Sequence, residues 1–195
     1  MLKEVLEDNS NKVILVVGLV IFLKLFLGSS LFKTDMFKGD GFTIKFPENW
    51  VMNEELTQRK SYKNDINKEM IVFETPDADL LTKESYARIV ISTIQLDLPV
   101  WIEDEFPKIL DALKQSGVEL IDKGQIKIDE RIFRWVFYND KRLNLLTIEF
   151  YYVDDANKLF KIQYMADDQK FNDYRQDFET AKETLKLKGF KMTGN

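Results

Sequence analysis

Three acidic clusters come nearest, by residue type and spacing, to carrying chemistry. Glu103-Asp104-Glu105, Asp154-Asp155 and Asp167-Asp168 offer hard oxygen ligands of the kind that hold Ca²⁺ or Mg²⁺. None has the spacing of a calcium loop with its central glycine, and local structure explains each. The first opens an apolar-periodic stretch, where a helix dipole favours anions. The second sits between two alternating runs, as a hairpin turn would, and the third marks a helix start. No metal site is expected. A glycosidase-like carboxylate pair needs only proximity in space, and nothing in the sequence marks one out. None of Ser61, Ser85, Ser92 and Ser116 begins a Ser-x-x-Lys signature. There is no P-loop and no Gly-x-Gly-x-x-Gly. Cysteine and histidine are both absent. Their absence removes disulfides, thiolate nucleophiles, Cys-based zinc and iron–sulfur sites, Ser-His and Cys-His catalysis and histidine switching. No cofactor is implied.

Whatever function remains must be positioned by a fold, and 195 residues allow one ordinary domain with a short appendage. At 45% hydrophobic and 13% aromatic residues, a packed core is expected rather than disorder. The net charge is −5, divided as +1 over residues 1–33 and −6 over the rest. An acidic domain gains no counterion-release attraction to phosphate backbones, so nucleic acid is not an expected partner.

Val13 to Leu23 is an unbroken run of eleven apolar or glycine residues. Val13 to Phe32 counts 20 residues, enough helix to span about 30 Å of hydrocarbon. Val13, Leu19, Phe22 and Leu27 would face lipid, with Lys24 snorkelling from an off-centre position. An uncleaved transmembrane signal anchor over 13–32 is the preferred reading. A signal peptide cleaved after Ser30 and a buried soluble helix are the alternatives. Lys3 and Lys12 before the span balance Lys33 and Lys38 after it. The extracytoplasmic placement of the domain therefore rests on a single amino-terminal span acting as an export signal.

Residues 1–12 form a flank, 33–40 a tether, 41–188 one domain and 189–195 a tail. Strands show by alternation: Phe42–Phe46, Met70–Glu74, Arg88–Leu96, Arg131–Tyr138, Leu145–Val153 and Leu159–Met165. Val118–Ile121 and Gln125–Ile128 flank Asp122-Lys123-Gly124, a turn signal. The last three strands form an antiparallel meander. Ile102, Phe106, Ile109, Leu110 and Leu113 make one helical stripe that Gly117 stops. Pro107 requires that helix to begin near Asp104 or to kink. A second helix runs from about Lys170 to Leu187, with Phe171, Tyr174, Phe178, Ala181 and Leu185 inward. The fold class is α+β: a central, mostly antiparallel sheet of about six or seven strands, flanked by helices and preceded by one transmembrane helix.

The decapeptide Gly41-Phe42-Thr43-Ile44-Lys45-Phe46-Pro47-Glu48-Asn49-Trp50 resembles the opening of the PsbP-like domain family: a strand, a proline turn and a tryptophan tucked back as a plug. The meander and the Asp167-Asp168 helix start resemble the carboxyl half of that family, over roughly residues 41–188. One departure is Glu130, where such domains often carry glycine. The resemblance implies a central antiparallel sheet flanked by helices, and binding to a larger protein partner rather than chemistry. No histidine-dependent metal role carries over.

The function expected is that of a non-enzymatic, membrane-anchored, extracytoplasmic interaction module. Its partner would be a membrane or membrane-associated protein at the cell membrane. Loops 53–69 and 75–87 are the expected contact region, with Trp50, Arg59, Tyr62 and Tyr86 as binding residues. Two rivals make distinct demands. A small-molecule or lipid carrier needs an apolar cavity of about 300 Å³ or more between sheet and helix. A carboxylate-based hydrolase needs two acidic side chains converging in a deep pocket.

Overall fold

The computed structural model describes residues 36–57, 68–76, 78 and 86–188. The anchor residues Val13, Leu19, Phe22 and Leu27 lie outside them. Among the described residues no helix is long and apolar enough to cross a membrane.

The chain order is β1 (Met36–Lys38), β2 (Phe42–Lys45), β3 (Val51–Met52), β4 (Lys68–Glu74), β5 (Ala87–Gln95), α1 (Ile102–Gln115), β6 (Glu119–Ile128), β7 (Arg131–Asp140), β8 (Leu145–Val153), β9 (Lys158–Asp167), α2 (Arg175–Thr184) and β10 (Lys186–Leu187). The architecture is α+β. A seven-stranded sheet runs β3-β4-β5-β9-β8-β7-β6, and a small one runs β1-β2-β10. Every pairing is antiparallel. After β5 the chain crosses on α1 to the far edge at β6, then meanders back until β9 pairs with β5. Residues 36–38, read from sequence as tether, pair with β2 instead.

Alternation dictates two faces. Phe133, Phe150, Ile162 and Tyr164 point one way, into a core shared with Phe42 and Ile44 of the small sheet and with Phe178, Ala181 and Leu185 of the α2 region. Val136, Tyr138 and Tyr151 point the other way, onto Ile102, Phe106 and Leu110 of α1. The apolar stripe of α1 is the one the spacing predicts. The helix begins at Ile102 and keeps Pro107 inside it. A proline there leaves the Glu103 carbonyl without its helical donor, close enough to the amino terminus for the helix to persist. Gly117, at φ 84°, ends the helix as expected.

Two expected features are corrected. Asp122-Lys123-Gly124 is not a turn. β6 runs straight through it against β7, with a bulge between Leu120 and Asp122. Gly124 lies opposite Trp135, and a Cβ there would stand 2.9 Å from the indole Nε1. The glycine makes room for the cross-strand ring. The second helix is also shorter than its apolar spacing. Residues 168–174 form successive turns, with Asp173 N–H donating to Lys170 O at 2.9 Å. Leu185 adopts extended backbone, and Leu187 pairs with Phe42.

Candidate functional site

The loop between β5 and α1 is held from the β8–β9 turn. Asn157, in the β8–β9 turn, accepts the Val100 N–H at 3.1 Å. It also donates to Leu96 O at 2.8 Å and to Leu98 O. Its backbone sits at φ 59°, a left-handed conformation that asparagine tolerates better than most residues. Gln95 adds a bond to Ala156 O at 2.8 Å. Asp154 Oδ1 accepts Ala156 N–H at 3.0 Å and Lys158 N–H at 2.8 Å, fixing the turn that carries Asn157. Trp101 caps α1 with its carbonyl, which takes Asp104 N–H at 3.0 Å and Glu105 N–H at 3.2 Å.

This scaffold holds large apolar side chains in water. Leu98 is 73% exposed, Trp101 75% and, across the gap, Ile132 49%. Trp101 and Ile132 border an open groove of about 460 Å³, with Tyr152 and Val153 in its wall. Glu103, Asp154 and Asp155 line the same groove, and Asp97 lies exposed in the loop. The nearby arginines are engaged: Arg134 with Glu103 at 3.0 Å, and Arg131 with Asp129 at 2.9 Å. The rim is therefore acidic around an apolar centre. Scattered exposed apolar residues are ordinary, whereas a tryptophan grouped with aliphatic residues at a groove has the make-up of an interface centre.

Of the binding residues expected from sequence, Trp50 and Tyr86 are described, and neither lies on this surface. Trp50 is buried, its rings edge-on to Tyr174 and Phe178 and its Nε1 donating to Asp177 at 3.2 Å. It is the core plug that its motif describes, and it offers no surface. Tyr86 is likewise buried, with its hydroxyl 3.7 Å from the Met165 sulfur and its ring under the Arg88 guanidinium. Arg59 and Tyr62 lie outside the described residues. Leu98 and Trp101 leave no sequence pattern because a strand-to-helix loop has no period, and Pro99 is the one signal between them; Asn157 has only the composition of a polar turn.

The acidic clusters serve local structure. Glu103 pairs with Arg134 and Glu105 with Lys108, while Asp167 Oδ1 accepts Gln169 N–H at 3.1 Å. Among the described residues no group of three acidic side chains is placed to hold a metal. Among the described residues the most buried carboxylate is Glu149, facing α1. It accepts from Tyr138 at 3.0 Å, Lys161 at 2.9 Å, Tyr151 and Gln163. Burial, then this anion, push the hydroxyls of Tyr138 and Tyr151 well above the usual phenol range. A carboxylate met by four donors is structurally satisfied. Among the described residues no second acid is bonded to it.

No protein-family model matches this chain, and no curated protein does. Solved structures are similar to it, three of them as follows. One is cyanobacterial PsbP (CyanoP) from Synechocystis sp. PCC 6803, at 14% identity and TM-score 0.48, over 78% of this chain and 91% of that one. Another is LpqN, involved in cell envelope biogenesis of Mycobacterium tuberculosis, at 11% and 0.48, over 78% and 87%. The third is a Bacteroides thetaiotaomicron VPI-5482 protein, at 13% and 0.43, over 79% of this chain and 48% of that one. Likeness of this degree carries no partner, ligand or reaction to the present chain.

Proposed function

We propose that this chain is a non-catalytic interaction module of PsbP-like type. In this reading it is anchored in the cell membrane through residues 13–32, with its domain on the extracytoplasmic side. The domain docks a membrane-associated protein through Leu98, Trp101 and Ile132. The observation that carries the reading is the Asn157-braced loop, which holds a tryptophan and a leucine three-quarters exposed beside a groove. Holding such groups rigidly in water removes part of the ordering cost of binding. The acidic rim favours a partner segment that alternates apolar and basic residues. An anchor supports the same reading, because confinement to a surface raises effective concentration towards membrane-bound partners. The absence of cysteine and histidine, and the local structural bonds of Glu103, Glu105, Asp154 and Asp167, leave recognition as the activity best provided for.

The test uses the full chain in native membranes. Leu98→Asp with Trp101→Ala should reduce the cross-linked partner complex about tenfold or more. The melting temperature should stay within a few degrees, since both side chains are exposed. Capture at the wild-type level would sink the proposal. Substituting residues 59–64 in parallel measures any share held by Arg59 and Tyr62. Protease shaving of intact cells tests sidedness; a domain protected until lysis would overturn the extracytoplasmic placement.

A further inference from the structure

A second cavity lies between α2 and the β7–β8–β9 face. Its volume is about 400 Å³, within the range of small-molecule sites and above the threshold set for a carrier. Trp135, Phe137, Leu146, Ile148, Phe150 and Phe171 form its walls. Two features there are not explained by packing.

The first is Tyr164. It lines the cavity at 2% exposure, and its hydroxyl has no hydrogen-bond partner among the described residues. The ring is fixed by stacking on Phe178, 5.1 Å between centroids, and by an edge contact with Phe150 at 5.6 Å. A buried hydroxyl left unpaired is costly, and nearly all such groups in folded proteins find a partner. The second is the charge at the mouth. Glu179 is neutralised by Lys182, but Arg175 is exposed with no ion pair among the described residues. One positive charge is thus in excess beside an apolar interior.

We propose that this cavity is a binding site for an amphipathic acid. The apolar body lies against Trp135, Leu146 and Ile148, the carboxylate meets Arg175, and a polar atom of the ligand engages Tyr164. Aromatic walls provide area, the guanidinium provides a planar fork for a carboxylate, and the phenol rewards a ligand that can hydrogen-bond within the site. This site is separate from the Trp101 surface and does not depend on the docking proposal.

The test is titration calorimetry of the full chain with three probes: 2-naphthylacetate, its neutral analogue 2-naphthylacetamide, and octanoate. At least one acid should bind, and the amide should bind about tenfold more weakly than naphthylacetate if the aromatic acid is the one taken. Preference between the two acids assigns an aromatic body or an acyl chain. Arg175→Glu, a surface change, should cut acid binding about tenfold or more. Leu146→Trp should fill the cavity and abolish binding. Tyr164→Phe should weaken it several-fold while raising or preserving the melting temperature, because the unpaired hydroxyl is removed. Binding should survive Leu98→Asp with Trp101→Ala. Failure of both acids at millimolar concentration, or acid binding indifferent to Arg175→Glu, would overturn the proposal.

Discussion

Asn157 shows how much one turn residue can organise. Its amide bonds backbone groups of residues 96, 98 and 100 from a left-handed position in the β8–β9 turn. Alanine there loses those bonds and also strains at positive φ, whereas glycine loses only the bonds. Asn157→Ala should therefore destabilise by about 2–3 kcal/mol and Asn157→Gly by about 1–2, measured by urea unfolding. Glu149 makes the complementary case. Four donors converge on its buried carboxylate, so Glu149→Leu leaves two buried phenols, a half-buried lysine and a half-buried amide without their acceptor. A loss of about 3–5 kcal/mol is expected by the same measurement, with Glu149→Gln intermediate because it keeps an acceptor.

At the scale of elements, the β6–β7 hairpin turns on Asp129 and Glu130, both at positive φ (46° and 67°), without a glycine. Asp129 is fixed by Arg131 at 2.9 Å and by the Leu187 N–H at 2.8 Å. Among the described residues Glu130 has an exposed pairing with Lys127 alone to hold it. Glu130→Gly should therefore stabilise the domain by about 0.5–1 kcal/mol, seen as a rise in urea midpoint with unchanged slope. Elements with one clean period were legible in the sequence: β8 matches its alternation from Leu145 to Val153, and α1 matches its stripe. Gly124 misled because a strand glycine making room for an opposing indole has the composition of a turn. The second helix is shorter than its apolar spacing because residues 168–174 carry helical spacing in a run of turns. The surface around Trp101 was not legible, since it depends on a long-range brace from Asn157 that no local pattern encodes.

For the whole molecule, the sheet carries a core on each face and no disulfide, so burial of aromatic residues must hold the domain together. That has a consequence at alkaline pH. Tyr86, Tyr138, Tyr151, Tyr152 and Tyr164 all have their hydroxyls pushed upward, chiefly by burial. In the unfolded chain they titrate near 10. Below that pH both states keep the protons and this stabilisation is fully present. Above it the unfolded chain releases protons first, so stability falls as pH rises from about 10. Chemical denaturation at pH 9, 10 and 11 should show the loss, and Tyr151→Phe should reduce its slope. The central claim is that the chain works by docking a protein on the Trp101 surface. Its most direct test is photo-cross-linking with mass spectrometry on native membranes. A photoreactive side chain would replace Trp101, with a control at the exposed Val51 in β3. The account predicts one dominant adduct from position 101, to an apolar and basic segment of a membrane-associated protein, and little from position 51. Equal labelling from both positions, or adducts from position 51 alone, would contradict it.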